Sequence, residues 1–271
     1  VLGGVVALLL LACTATPVAD TTSETSHVPA RSTSATTSLT TTAVSATQTT
    51  VAVTAALPEG LLFEIEGDIT IAPSEVPSGL VEVAFVNRGE SSHGVFVTDT
   101  VLRFGVFLTP GAQASGVVEF DPGTSYVFEA LLPPFSGGED DFIATEAASD
   151  TPAPNADVTV GLTEFAFSMP DRLEAGSQSW QLTNNGEQTH DVGIFSLEGT
   201  TLEQVLDEIV LMDPWEHPTV VPTWVVGSGE TVWANLELSA GDYGIVCRVP
   251  DDASNARHFR LGMVLQITVG E

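Results

Sequence analysis

Four residues in the last third of the chain have side chains that can do coordination or redox chemistry, and they come in the order His190, Cys247, His258, Met263. The cysteine poses the question. The chain has two cysteines, Cys13 and Cys247, and a lipid attached to Cys13 leaves Cys247 as the lone thiol of the mature protein, with no intramolecular disulfide to form. In an oxidising compartment such a thiol needs a reason to be there. Two are open at this point: burial as a small apolar side chain, or ligation of a metal.

The elements that must position these residues read as β-structure. From Leu57 onward, short alternating apolar runs are broken by Gly, Pro and Asn, which predicts an all-β sandwich. An internal repeat divides it in two. Val83 to Phe96 aligns with Trp180 to Phe195, each giving a strand, an Asn-x-Gly turn (Asn87, Asn184) and a histidine opening the next strand (His93, His190). Gly123–Ala130 likewise matches Gly241–Cys247, where period-2 alternation turns Tyr243, Ile245 and Cys247 to one face. The predicted domains are 57–148 and 155–271, joined by a linker over Ala148–Asn155. One segment breaks the β pattern. Leu202, Val205, Leu206, Ile209 and Val210 follow helical spacing, and Thr201 with Gln204 has the form of a capping box, so a short amphipathic helix is expected over the second sandwich.

Here the sequence resembles the cupredoxins, the plastocyanin, azurin and nitrite reductase type 1 blue-copper domains. Those proteins hold copper with a His after an Asn-rich turn, then with Cys, His and Met from one C-terminal loop, the Met often preceded by Gly, as Gly262 precedes Met263. The resemblance implies two tandem Greek-key sandwiches. It also implies a copper ion bound by His190, Cys247 and His258, with Met263 as weak axial ligand. A soft thiolate with two imidazoles suits a trigonal copper site, and the metal would hold Cys247 as thiolate. Two departures stand out. Ten residues separate Cys247 from His258, a longer loop than in plastocyanin, expected to loosen the site and expose the metal. Asp191 stands where many cupredoxins have Asn, which puts in question the support of the first ligand. In the first domain Ala130 replaces the cysteine and no His or Met follows in Leu131–Phe142, so no equivalent site is expected and His93 reads as a satisfied strand-end histidine.

The apolar run Val1–Ala12 is too short to span a bilayer and reads as a signal peptide, with Leu10–Cys13 a lipobox that makes Cys13 the lipid-bearing residue. No Met or basic segment precedes Val1, so the first residues of the gene product are expected to lie upstream. Residues 13–56, the lipidated cysteine and a stretch rich in Thr, Ser, Ala and Val, have the composition of a flexible tether with an r.m.s. span of about 35 Å. The expected location is the outer face of the cell membrane. Net charge is −29 and all 7 basic residues are Arg, which excludes nucleic acid as a partner and leaves a redox protein as the expected one.

Three functions from different classes follow: a one-electron carrier, a copper storage or delivery protein using the same residues in a more open loop, and a metal-free binding scaffold. A catalytic copper enzyme is not expected, because His27, His93 and His217 are the only further histidines for a second centre. Of the remaining residues, Trp180 and Trp233 are expected in the core, Trp224 and Trp215 in ordinary packing, His217 exposed, and Glu139–Asp141 in a solvated turn.

Overall fold

A computed structural model of the chain describes residues 60–66, 68–131, 138–211 and 219–270. Cys13, the signal and tether segments, His27, Trp215 and His217 lie outside the described residues.

The first half holds β1 (Leu61–Glu66), β2 (Asp68–Ala72), β3 (Glu75–Asn87), β4 (His93–Thr98), β5 (Leu102–Leu108), β6 (Gln113–Phe120), β7 (Ser125–Leu131) and β8 (Gly138–Ala148). The second holds β9 (Val158–Thr163), β10 (Ala166–Ser168), β11 (Arg172–Glu174), β12 (Gly176–Asn184), β13 (His190–Ser196), helix α1 (Leu202–Leu211), β14 (Thr223–Val226), β15 (Thr231–Leu238), β16 (Gly241–Val246) and β17 (Val264–Gly270). The fold is an all-β sandwich.

One sheet runs β2-β1-β3-β6-β15-β12-β9-β10 and the other β8-β7-β4-β5-β14-β13-β16-β17-β11. The halves repeat one strand order, and they meet where β6 pairs antiparallel with β15 and β5 with β14. Each seam joins a strand to its own counterpart, the pairing that a local two-fold axis produces. Both sheets therefore run through the two halves. Phe63 stacks on Phe85 and Phe128 at centroid distances of 4.6 Å, and Trp224 of the second half meets Phe85 edge-on at 5.8 Å, so one apolar core also crosses the seam. Between Ala148 and Val158 the chain has no regular structure.

The repeated Asn-x-Gly turn has the same wiring in both copies. Buried Asn184 donates Nδ2 to the carbonyls of Gln188 and Val226 and accepts the Gly186 N–H; Asn87 likewise spans Ser91, Leu108 and Gly89. A side chain that satisfies two stretches of backbone fixes where the next strand begins. That strand opens with His190, or His93.

Helix α1 forms where its spacing predicts, and its cap is reciprocal: the Gln204 side chain accepts the Thr201 N–H at 2.9 Å, and Thr201 Oγ1 accepts the Gln204 N–H at 3.3 Å. Val205 and Ile209 pack on Phe195, Leu197 and Val246, a second small core on the outer face of β13 and β16. Thr201→Ala should cost about 0.5–1 kcal/mol, read as a lowered denaturant midpoint; an unchanged midpoint would show the helix held by packing alone.

Three expectations are corrected. Trp233 is only half-buried, because Val232 and Ala234 take the inward positions of β15. Glu139–Asp141 belongs to β8 rather than to a turn. His93 is buried at the start of β4, but its Nδ1 has no hydrogen-bond partner among the described residues. Trp180 is a core residue, as expected, and Trp224, expected only in ordinary packing, is a core residue too.

Candidate metal centre

The Asn184 turn delivers His190 to the start of β13, and β13 pairs with β16, whose end carries Cys247. Cys247 is then tied by backbone to the other two candidates. Its N–H donates to the Met263 carbonyl at 3.2 Å, its carbonyl accepts the Phe259 N–H at 2.9 Å, and the Met263 N–H donates to the His258 carbonyl at 3.0 Å. His258 opens a single 3₁₀ turn, His258–Leu261, which Gly262 ends with φ of 115°, a conformation suited to glycine. Met263 follows at once.

His190, Cys247, His258 and Met263 are all fully buried. His190 Nδ1 and His258 Nδ1 are 3.1 Å apart, and Cys247 Sγ lies 3.4 Å from His258 Nδ1 and 3.9 Å from His190 Nδ1. A point equidistant from the corners of that triangle is about 2.0 Å from each, where metal–imidazole bonds are ~2.0–2.1 Å and metal–thiolate bonds ~2.3 Å. The three donors thus fit a mononuclear metal ion with little movement, and these are the residues that gather into a metal-ligating group among those described. Two imidazoles and one thiol, with no carboxylate among the donors, suit copper better than a hard cation. His190, Cys247 and His258 form a candidate copper site.

The surroundings orient the ligands. His258 Nε2 lies 3.3 Å from Gln188 Oε1, so Nε2 carries the proton and Nδ1 presents its lone pair; Gln188 is itself held by Asp251 and the Asp252 N–H. Glu164 lies 3.8 Å from His190 Nε2, its carboxylate fixed by the N–H groups of Glu187 and Gln188. Phe165, at the tip of the β9–β10 hairpin with φ of 65°, meets the His258 ring edge-on at 5.2 Å.

Both departures noted in the sequence resolve here. The long loop does not expose the site, because its extra residues close on themselves: the Asp251 carboxylate takes the Ser254 N–H and hydroxyl, and the Asn255 N–H returns to the Asp251 carbonyl. Asp191 does support its neighbours. Its N–H points at Cys247 Sγ at 3.3 Å, and its carboxylate accepts the Arg248 N–H at 2.5 Å and Nε at 2.9 Å.

Burial, and then the His258 charge, lower the His190 pKa from 6.5 to about 4; burial lowers that of His258 as well. Burial, reinforced by the Asp191 carboxylate, pushes the Cys247 thiol well up. At neutral pH the metal-free site is therefore two neutral imidazoles and a thiol, and a metal ion must displace the thiol proton to enter. A stability prediction follows with a definite sign. Unfolded His190 takes a proton near pH 6.5 and the folded form only near pH 4, so the unfolded state binds more protons between the two and metal-free stability falls as pH drops through that window. The loss attributable to His190 is at most about 3 kcal/mol, and urea titrations should show it shrinking in His190→Gln. An equal slope in both proteins would assign the acid sensitivity elsewhere.

No family model matches the sequence, and no curated protein matches it. Solved structures do. Reduced auracyanin from Roseiflexus castenholzii is 17% identical with a TM-score of 0.32, covering 43% of this chain and 100% of that one. A multicopper oxidase is 12% identical with a TM-score of 0.27, covering 78% and 87%. A copper-containing nitrite reductase from Thermus scotoductus is 13% identical with a TM-score of 0.28, covering 78% and 61%. Two of these structures are enzymes by name, so the expectation that this chain is not an enzyme does not stand. The case for copper rests on the triangle of donors rather than on likenesses this distant.

Sequence reasoning missed Gln188, Glu164, Phe165 and the Asp191–Arg248 pair. Gln188, Asp191 and Arg248 each stand within two residues of a ligand, the one signal they carried, whereas Glu164 and Phe165 reach the site through the β9–β10 hairpin, away from every ligand in sequence.

Proposed function

We propose that this protein is a single-electron carrier, anchored by lipid at Cys13 to the outer face of the membrane, in which His190, Cys247 and His258 would hold one copper ion, with Met263 as a weaker fourth donor. The observation that carries this reading is the fully buried triangle of two Nδ1 atoms and one Sγ. Bound copper supplies a one-electron couple. The residues supply the rest: backbone bonds around Cys247, His258 and Met263 fix ligand positions through either charge state, and Phe165 and Gln188 cover the His258 imidazole. A site that need not rearrange suits fast exchange of electrons with a redox partner. Metal delivery calls for an open loop, and the closed Asp251–Ala256 turn opposes it. Copper added to the purified protein should produce an intense visible thiolate-to-copper band and raise the melting temperature. No band and equal melting temperatures with and without copper would leave a metal-free scaffold.

A further inference from the structure

The charged pair beside the thiol is where the site and the ligand-free half of the chain meet. Asp191 follows ligand His190 on β13 and Arg248 follows ligand Cys247, and their side chains are only 2% and 6% exposed. One carboxylate therefore ties the two ligand-bearing segments together, through Arg248 N–H and Nε, while the same residue's N–H points at Sγ. The Arg248 guanidinium also lies over the ring of Phe195 at 5.8 Å and over that of Phe107 at 5.5 Å. Phe107 belongs to β5, in the half with no ligands, and Phe96 backs it edge-on at 5.6 Å. β5 reaches the site by backbone as well: Gly105 pairs with Val225, which pairs with Asp191.

A buried ion pair is a poor source of stability, since desolvation offsets most of its attraction. Its field in a medium of low dielectric is nevertheless strong at neighbouring atoms. We propose that Asp191 and Arg248 are positioning residues that set the electrostatic field at the metal centre, and that the ligand-free half serves the site by holding Arg248 against Phe107. This rests on the copper reading above. The carboxylate favours the more positive, oxidised form of the centre and the guanidinium disfavours it, so the two act in opposite senses.

Redox titration of the copper-loaded full chain, followed by its visible band, tests this. Asp191→Asn, which keeps size and an acceptor for the Arg248 N–H, should raise the midpoint potential. Arg248→Met should lower it, and the double variant should return close to wild type. Arg248→Lys, retaining the charge, should stay close to wild type, whereas Phe107→Ala, which lets the guanidinium hydrate, should shift the potential in the Arg248→Met direction. Loosened packing alone would move all the single variants the same way with broadened bands. Shifts of one sign, or an unmoved potential in Asp191→Asn, in proteins that keep the band, overturn this inference alone. Absence of the band from wild type overturns the copper reading and this inference with it.

Discussion

Cys247→Ser is expected to abolish the visible copper band and remove the thermal stabilisation that copper confers. The sulfur is the one donor of the triangle able to form a covalent thiolate bond, and a hydroxyl is harder and far less acidic. Copper at a hundred times its dissociation constant stabilises a folded site by about 2.7 kcal/mol, and that increment should vanish. The metal-free variant suffers separately: Cys247 is fully buried beside apolar neighbours, and a hydroxyl there should cost about 1–3 kcal/mol. Met263→Leu should contrast with it, keeping copper and colour while raising the potential, because losing a weak donor disfavours the oxidised ion. Absorption spectra and melting curves with and without copper separate the cases. A Cys247→Ser protein whose melting temperature still rises with copper would place the metal elsewhere.

What the sequence made legible was local. The helix could be read because Thr201, Gln204 and the apolar residues from Leu202 to Ile209 all lie within one segment. The Asn184 turn was visible because its partners Gly186 and Gln188 are close in sequence. Alternation placed Tyr243, Ile245 and Cys247 on an inward face correctly. It did not show that Gly244 and Val246 are buried too, because the cover on that face is the helix. Trp233 misled for the opposite reason: a large apolar side chain invites a core position, but the register of β15 gives those positions to Val232 and Ala234. The Asp191–Arg248 strap spans 57 residues of chain, and nothing periodic announces it. The seam between the halves was equally hidden, since alternation tells which face a strand buries and not which strand lies beside it.

That seam leads to the second large effect. Gly116 of β6 sits opposite Ala234 of β15, and a Cβ added there would lie 2.4 Å from the Trp233 carbonyl oxygen and 3.1 Å from the Trp224 ring. Neither neighbour can yield easily, because the carbonyl belongs to a strand paired on both edges and Trp224 is a buried anchor packed on Phe85. Gly116→Ala must therefore push β6 away from β15, and overpacking at such a site should cost about 3 kcal/mol. Gly227 makes the same demand at the other seam, where a Cβ would lie 2.0 Å from the Leu102 carbonyl oxygen. Gly161 is the control. A Cβ there finds its nearest atom at 3.6 Å, an ordinary contact, so Gly161→Ala should change stability by less than about 1 kcal/mol. Since sheets and core both cross the seam, the wild-type protein should unfold in one transition, monitored alike by tryptophan fluorescence and far-UV circular dichroism. Gly116→Ala should move that single transition to lower denaturant. Two separated transitions in the wild type, or an unmoved midpoint in Gly116→Ala, would show that each half folds without the support of the other.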